Sequence, residues 1–116
     1  MAPTLVMKGD KPYFVVGTPG GTTIPTSVYQ TLLNILDFGL DAQQAVNNPK
    51  FHHQWLPDEV LIEPNFLPET KSSLEKMGYK LINRSAIGRV ELIKVNTKNQ
   101  LETVADKRGD DSVAGY

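Results

Sequence analysis

Cysteine is absent from the 116 residues. Its absence excludes disulfides, thiolate metal sites and a cysteine nucleophile, and it leaves the redox compartment open. No excess of one charge exists: 12 Lys and Arg stand against 13 Asp and Glu. Without a basic block or stripe, the electrostatic footprint of a nucleic-acid binder is missing. No apolar run approaches the length of a membrane-spanning helix. No secretory pattern stands ahead of Pro3-Thr4-Leu5-Val6, although a mature or truncated chain would have lost one. The two histidines, His52 and His53, are adjacent. Neighbours on a regular element point in different directions, so they make a poor metal pair, and no third ligand is spaced to complete a known motif.

Cofactor and nucleophile motifs are also missing. The order Gly17-Thr18-Pro19-Gly20-Gly21 is not the dinucleotide Gly-x-Gly-x-x-Gly, and it lacks the Lys-Ser/Thr ending of a phosphate loop. No serine or threonine sits in a Gly-x-Ser-x-Gly elbow. Thr4 and Thr18 read as structural hairpin residues.

What is present suits one α+β domain spanning residues 1–116 around one core. Apolar residues 3–7 and 13–16, separated by the turn-forming Lys8-Gly9-Asp10-Lys11-Pro12, predict a β-hairpin. Phe14-Val15-Val16 is apolar on both faces, which predicts a strand covered on each side. Val28, Leu32, Leu33, Ile35 and Leu36 recur at helical spacing, predicting a helix over 26–38. Thr22, Thr23 and Thr26 are available as caps around Pro25, and Gly39 is the stop. Asp41 and Gln44 form a capping-box start for a short helix over 42–48, halted by Pro49. Residues 51–57 read as a packed loop or short extended piece. A strand over 60–63, a helix over 68–77, a strand over 79–82 and a hairpin of 90–95 with 101–105 follow. On 90–95, Val90, Leu92 and Lys94 alternate with Glu91, Ile93 and Val95, so one side is expected to be more protected than the other. The tail from Asp106 is polar and irregular. Together these elements give an antiparallel or mixed sheet with helices packed on it.

Few residues are left for chemistry. Gly20 and Gly21 admit two readings. They can supply positive φ in a strand-to-helix turn, or turn two amide N–H groups toward one point, which is one way to stabilise an oxyanion. Trp55 is either a core anchor, which general burial tendencies favour, or a pocket wall. The acid pairs Asp58-Glu59 and Asp110-Asp111 fit surface turns as well as they fit any catalytic role. Asp106 and Arg108 can pair with each other or hold the tail, and exposed pairs of that kind contribute little. These residues offer an oxyanion site with neither nucleophile nor base.

Several ordered pieces resemble the C-terminal part of the small subunit of the gamma-glutamyltranspeptidase (glutathione hydrolase) family. They are Met1-Ala2-Pro3-Thr4, Val16-Gly17-Thr18-Pro19-Gly20-Gly21, Leu33-Asn34-Ile35-Leu36-Asp37-Phe38-Gly39, Ala45 through Phe51-His52-His53-Gln54-Trp55-Leu56-Pro57, and Asp106-x-Arg108 with Ala114-Gly115-Tyr116. The resemblance implies the C-terminal portion of an N-terminal-nucleophile hydrolase, an α-β-β-α sandwich. Its proenzyme cuts itself into two subunits, and an N-terminal threonine attacks the γ-glutamyl carbonyl of glutathione and related compounds. It implies transfer to water, amino acids or peptides, no metal or organic cofactor, and a periplasmic or extracellular location. By the same resemblance, the backbone N–H groups of Gly20 and Gly21 form the oxyanion hole.

The family's Ser-Ser pair ahead of Met1, its threonine nucleophile and the acid that holds the glutamyl amino group fall upstream of these residues. The carboxylate-binding arginine belongs to the large subunit. The resemblance therefore implies that this fragment is inactive alone and that its partners are the large subunit and the rest of the small subunit. An apolar sheet face without its covering layer is expected to drive self-association. Glu91 stands where the family usually carries Gln, and Lys107 where it usually carries Pro. Two other readings are a glutaryl-cephalosporin acylase-like fragment and a non-catalytic interaction module.

Overall fold

The computed structural model of the chain describes residues 1–115, and Tyr116, the last residue of the tail match, lies outside the described residues. The chain is α+β and divides into two compact units, one of residues 1–48 with the C-terminal stretch from Gly88, the other of residues 49–87.

The first unit is built on a four-stranded sheet of order β1-β2-β6-β7, all neighbours antiparallel. The strands are β1 (Thr4–Lys8), β2 (Lys11–Gly17), β6 (Glu91–Val95) and β7 (Leu101–Val104). The predicted hairpin forms, with a tighter turn than expected: Lys8 pairs with Lys11, leaving Gly9-Asp10 as a two-residue connection. Short loops of that kind match the twist of paired strands best. Pro12, which has no N–H to give the ladder, sits where the register shifts beside Met7.

One face of this sheet is the core. Phe14, Val16, Leu92 and Val104 point into it and meet Val28, Ile35, Ala45 and Val46 of two helices. One side of β6 is the more protected, as expected, with Leu92 and the preceding Val90 buried and Ile93 exposed. The opposite face corrects the expectation that β2 is covered on both sides. Leu5, Val15, Ile93 and Thr103 are directly opposed across the four strands. The first three are 56%, 42% and 45% exposed. This unit supplies helices to one face only, so the second apolar face stays open. A cavity of about 360 Å³ lies on the open side, lined by Met1, Val15, Gly17, Glu91, Ile93 and Val113 among others.

The helices of the unit are α1 (Ile24–Leu36) and α2 (Ala42–Asn47). Pro25 occupies the first turn of α1, as its fixed φ favours. The threonines do not cap it as expected; Thr23, the N-cap, makes no side-chain capping bond, because its hydroxyl donates to the Gly20 carbonyl instead. Gly39 ends the helix, with the Leu40 N–H donating to the Asn34 carbonyl at 2.9 Å. At α2 both halves of the predicted capping box are present: Gln44 N–H to Asp41 Oδ1 at 2.7 Å and Asp41 N–H to Gln44 Oε1 at 3.4 Å.

The second unit holds β3 (Phe51–His52), β4 (Val60–Ile62), α3 (Pro68–Lys76) and β5 (Leu81–Asn83). Here β3 and β4 are antiparallel, and β4 and β5 are parallel. That parallel pair requires a crossover, which α3 provides. β5 starts two residues later than predicted, because Met77, Gly78 and Tyr79 donate back to the last turn of α3. Among the described residues no helix is long and apolar enough to cross a membrane.

Candidate active site

β2 ends at Gly17 and α1 begins at Ile24. Between them, Thr18-Pro19-Gly20 leads into a single 3-10 turn over Gly21–Thr23. Gly20 and Gly21, the two predicted site residues, are therefore adjacent at an exposed strand-to-helix turn. Gly20 has φ 139° and ψ 8°, a backbone state in which a Cβ is strongly disfavoured. A Cβ on Gly20 would also come within 2.5 Å of Thr23 Oγ1. Among the described residues neither the Gly20 nor the Gly21 N–H has a hydrogen-bond acceptor. Two successive amides of this kind are free to serve a negatively charged oxygen.

The turn is held from beneath. Thr18 is fully buried. Its hydroxyl accepts the Arg89 N–H at 2.7 Å and donates to the Pro19 carbonyl at 2.7 Å. The Gly20 carbonyl accepts from Thr23 Oγ1 at 2.9 Å and from the Thr23 N–H at 3.2 Å. Gly88 allows the segment before β6 to approach: a Cβ there would lie 2.5 Å from Ser27 Oγ and 3.2 Å from Thr18 Oγ1. Sequence reasoning treated Thr18 as structural and Thr23 as a cap, and missed Ser27 and Gly88. The Thr18–Arg89 contact spans 71 positions, beyond the reach of any local spacing.

Arg89 leads from this turn to the tail. Its guanidinium forms a two-pronged pair with the Asp111 carboxylate, which holds Asp111 below the usual carboxylate range and raises Arg89 in turn. Asp111 is thus one half of an ion pair, more than the surface-turn acid expected. Glu91, on the neighbouring strand, moves the other way: burial, then the nearby Asp111, push its carboxyl above its ordinary value.

Asp106 and Arg108 also correct an expectation, since they are not an exposed pair. Their side chains are 0% and 7% exposed, with Arg108 Nη1 3.0 Å from Asp106 Oδ1. The pair holds the tail as well, because Arg108 donates to the carbonyls of Val46 at 2.8 Å and Asn48 at 3.0 Å.

In the second unit, Trp55 is 78% exposed, against the expectation of a core anchor. It stands at the tip of a loop with φ 72°, where its N–H donates to His53 Nδ1. Each histidine has a separate partner: His52 Nε2 is 3.0 Å from Gln54 Oε1 and His53 Nε2 is 3.1 Å from Asp58 Oδ1. Glu59 meets Lys80 Nζ at 2.5 Å.

Known proteins fit this geometry. The family model "Gamma-glutamyltranspeptidase" matches residues 1–116. A glutathione hydrolase proenzyme of Escherichia coli K12 is 44% identical over 117 residues, covering 100% of this chain and 20% of that protein. A gamma-glutamyltranspeptidase from Pseudomonas nitroreducens, complexed with L-DON, superposes with a TM-score of 0.91 at 35% identity, covering 100% of this chain and 62% of that one. A cephalosporin acylase from Bacillus halodurans gives 0.88 at 28% identity, covering 98% and 22%. The chain spans about a fifth of the length of the curated relative it matches. With the family model matched over the full length and a relative 44% identical across the whole chain, the chain belongs to the gamma-glutamyltranspeptidase family.

Proposed function

We propose that residues 1–116 act as one domain of a γ-glutamyl transfer enzyme and supply its oxyanion wall. The free, adjacent N–H groups of Gly20 and Gly21 carry this reading. A tetrahedral intermediate formed at a γ-glutamyl carbonyl places its negative oxygen between these donors, where two preorganised dipoles stabilise it with no reorganisation. The threonine nucleophile comes from the chain upstream of Met1. The large subunit and the rest of the small subunit complete the site, and the rest of the small subunit covers the open face of Leu5, Val15 and Ile93. No metal or organic cofactor takes part, and the complete protein works in the periplasm or outside the cell.

The test is release of p-nitroaniline from γ-glutamyl-p-nitroanilide. The full-length polypeptide carrying this segment is expected to turn over, and the 116-residue chain alone is expected not to. Turnover by the purified chain alone sinks the requirement for upstream residues. The likeness to the cephalosporin acylase supports a second reading, cleavage of a glutaryl-cephalosporin with the same oxyanion donors. Assaying both substrates side by side separates the two, because the glycine pair serves either oxyanion.

A further inference from the structure

We propose that Thr18 and Thr23 are positioning residues, each of which aims one oxyanion donor by gripping the carbonyl of the same peptide unit. This rests on the assignment of the Gly20 and Gly21 amides to the oxyanion site. The peptide bond is planar, and across a trans bond the C=O of one residue and the N–H of the next point in opposite directions. The Pro19–Gly20 and Gly20–Gly21 bonds are both trans. Fixing the Pro19 carbonyl therefore fixes the Gly20 N–H, and fixing the Gly20 carbonyl fixes the Gly21 N–H. Thr18 Oγ1 holds the first carbonyl at 2.7 Å, and Thr23 Oγ1 holds the second at 2.9 Å.

The direction of the Thr18 bond follows from its other partner. A hydroxyl has one proton to give. The Arg89 N–H donates to Thr18 Oγ1, occupying an acceptor position, and this leaves the hydroxyl proton for the Pro19 carbonyl. Full burial of Thr18 keeps its own hydroxyl away from water. Gly88 is required for the same contact, because a side chain there would press on Thr18 Oγ1 and Ser27. The two grips differ in redundancy. The Gly20 carbonyl keeps the Thr23 N–H at 3.2 Å if the Thr23 hydroxyl is lost. The Pro19 carbonyl has no second donor among the described residues. Thr18 is thus the more sensitive position.

The test uses the full-length polypeptide that carries this segment, with Thr18→Val, Thr18→Ser and Thr23→Val, and rates normalised to the processed fraction on a gel. Thr18→Val is expected to lower kcat on γ-glutamyl-p-nitroanilide about tenfold, short of the roughly 10²–10³ that outright loss of a donor costs. KM stays within about twofold, since an oxyanion donor acts mainly on the transition state. Thr18→Ser keeps the hydroxyl and is expected to recover kcat to within about threefold, with Thr23→Val falling between it and Thr18→Val. Unchanged kcat in Thr18→Val, a Thr18→Ser no better than Thr18→Val, or a change confined to KM overturns the assignment. So does a folded variant whose only defect is failure to process. Where Thr18→Val loses its fold, an unchanged kcat in Thr23→Val and full activity in a Thr18→Ala variant count as the overturning result. An unsubstituted protein with no turnover defeats the γ-glutamyl transfer reading itself, which is a different outcome from an active parent with indifferent threonine variants.

Discussion

Asp106 faces Arg108 at 3.0 Å in a buried pair, and its second oxygen accepts the Val90 N–H at 2.7 Å. One carboxylate thus anchors the tail and the start of β6 together. Removing it takes the opposite charge from a buried guanidinium and the acceptor from the Val90 N–H. Breaking such a pair from one side costs about 3–5 kcal/mol. Asp106→Ala is expected to lose stability of that order in urea unfolding of the 116-residue chain, and Asp106→Asn less, because the amide oxygen still accepts from Val90. Equal urea midpoints for Asp106→Ala and the parent would refute this.

The open sheet face leads to a prediction about association. Leu5, Val15 and Ile93 form a continuous apolar row across three paired strands. Contiguous exposed apolar surface above a few hundred Å² is rare on monomers. The isolated chain is expected to self-associate at micromolar concentration. The double variant Val15→Thr with Ile93→Lys is expected to shift it toward monomer without loss of secondary structure. Sedimentation velocity that finds the parent monomeric over a wide concentration range removes the basis for this.

Much of the frame was legible locally. The Asp41–Gln44 box, the stop at Gly39 and the alternation of Val90 and Leu92 against Ile93 are short-range signals, and each appears as predicted. The failures share a physical cause. Whether Val15 is covered depends on which layers the chain brings, and periodicity carries no record of that. The Asp106–Arg108 pair is buried because Arg108 reaches carbonyls 62 and 60 positions away, and spacing in the tail alone reads as an exposed pair. Type-average burial favours a core position for Trp55, whereas it stands in the connection between β3 and β4 with its side chain exposed. At the site, the glycine pair was visible, and the threonine grips were hidden because Arg89 and Gly88 come from the far end of the chain.

Glu91 gives a pH-dependent prediction. Its carboxyl titrates above its ordinary value of 4.5, through burial first and Asp111 second. The folded state therefore binds this proton more tightly than the unfolded one, and stability tied to it falls as pH rises from about that ordinary value through the raised one. Asp111, lowered by Arg89, runs oppositely and loses its contribution as pH falls below its ordinary value of 3.8. Glu91→Gln removes the first effect and alters the second only in part, because Arg89, the larger cause of the Asp111 shift, stays in place. The variant's urea midpoint is expected to gain on the parent as pH rises above 4.5. A difference that stays flat or reverses over this range contradicts the direction assigned to Glu91.

The two glycines make an internal control for the oxyanion reading. A Cβ on Gly20 meets Thr23 Oγ1 at 2.5 Å, whereas one on Gly21 meets nothing within 4 Å. Gly20→Ala must therefore displace the hydroxyl that grips its own carbonyl, and it must do so at φ 139°. Gly21→Ala carries only the penalty of a left-handed backbone, about 1–2 kcal/mol. In the full-length polypeptide, Gly20→Ala is expected to lower kcat by about 10²-fold, the scale of losing one donor. Gly21→Ala is expected to stay within about tenfold, with KM nearly constant in both. Steady-state kinetics on γ-glutamyl-p-nitroanilide reads the contrast. If Gly20→Ala retains full kcat, the amide at that position does not face the developing oxyanion, whatever the family it belongs to.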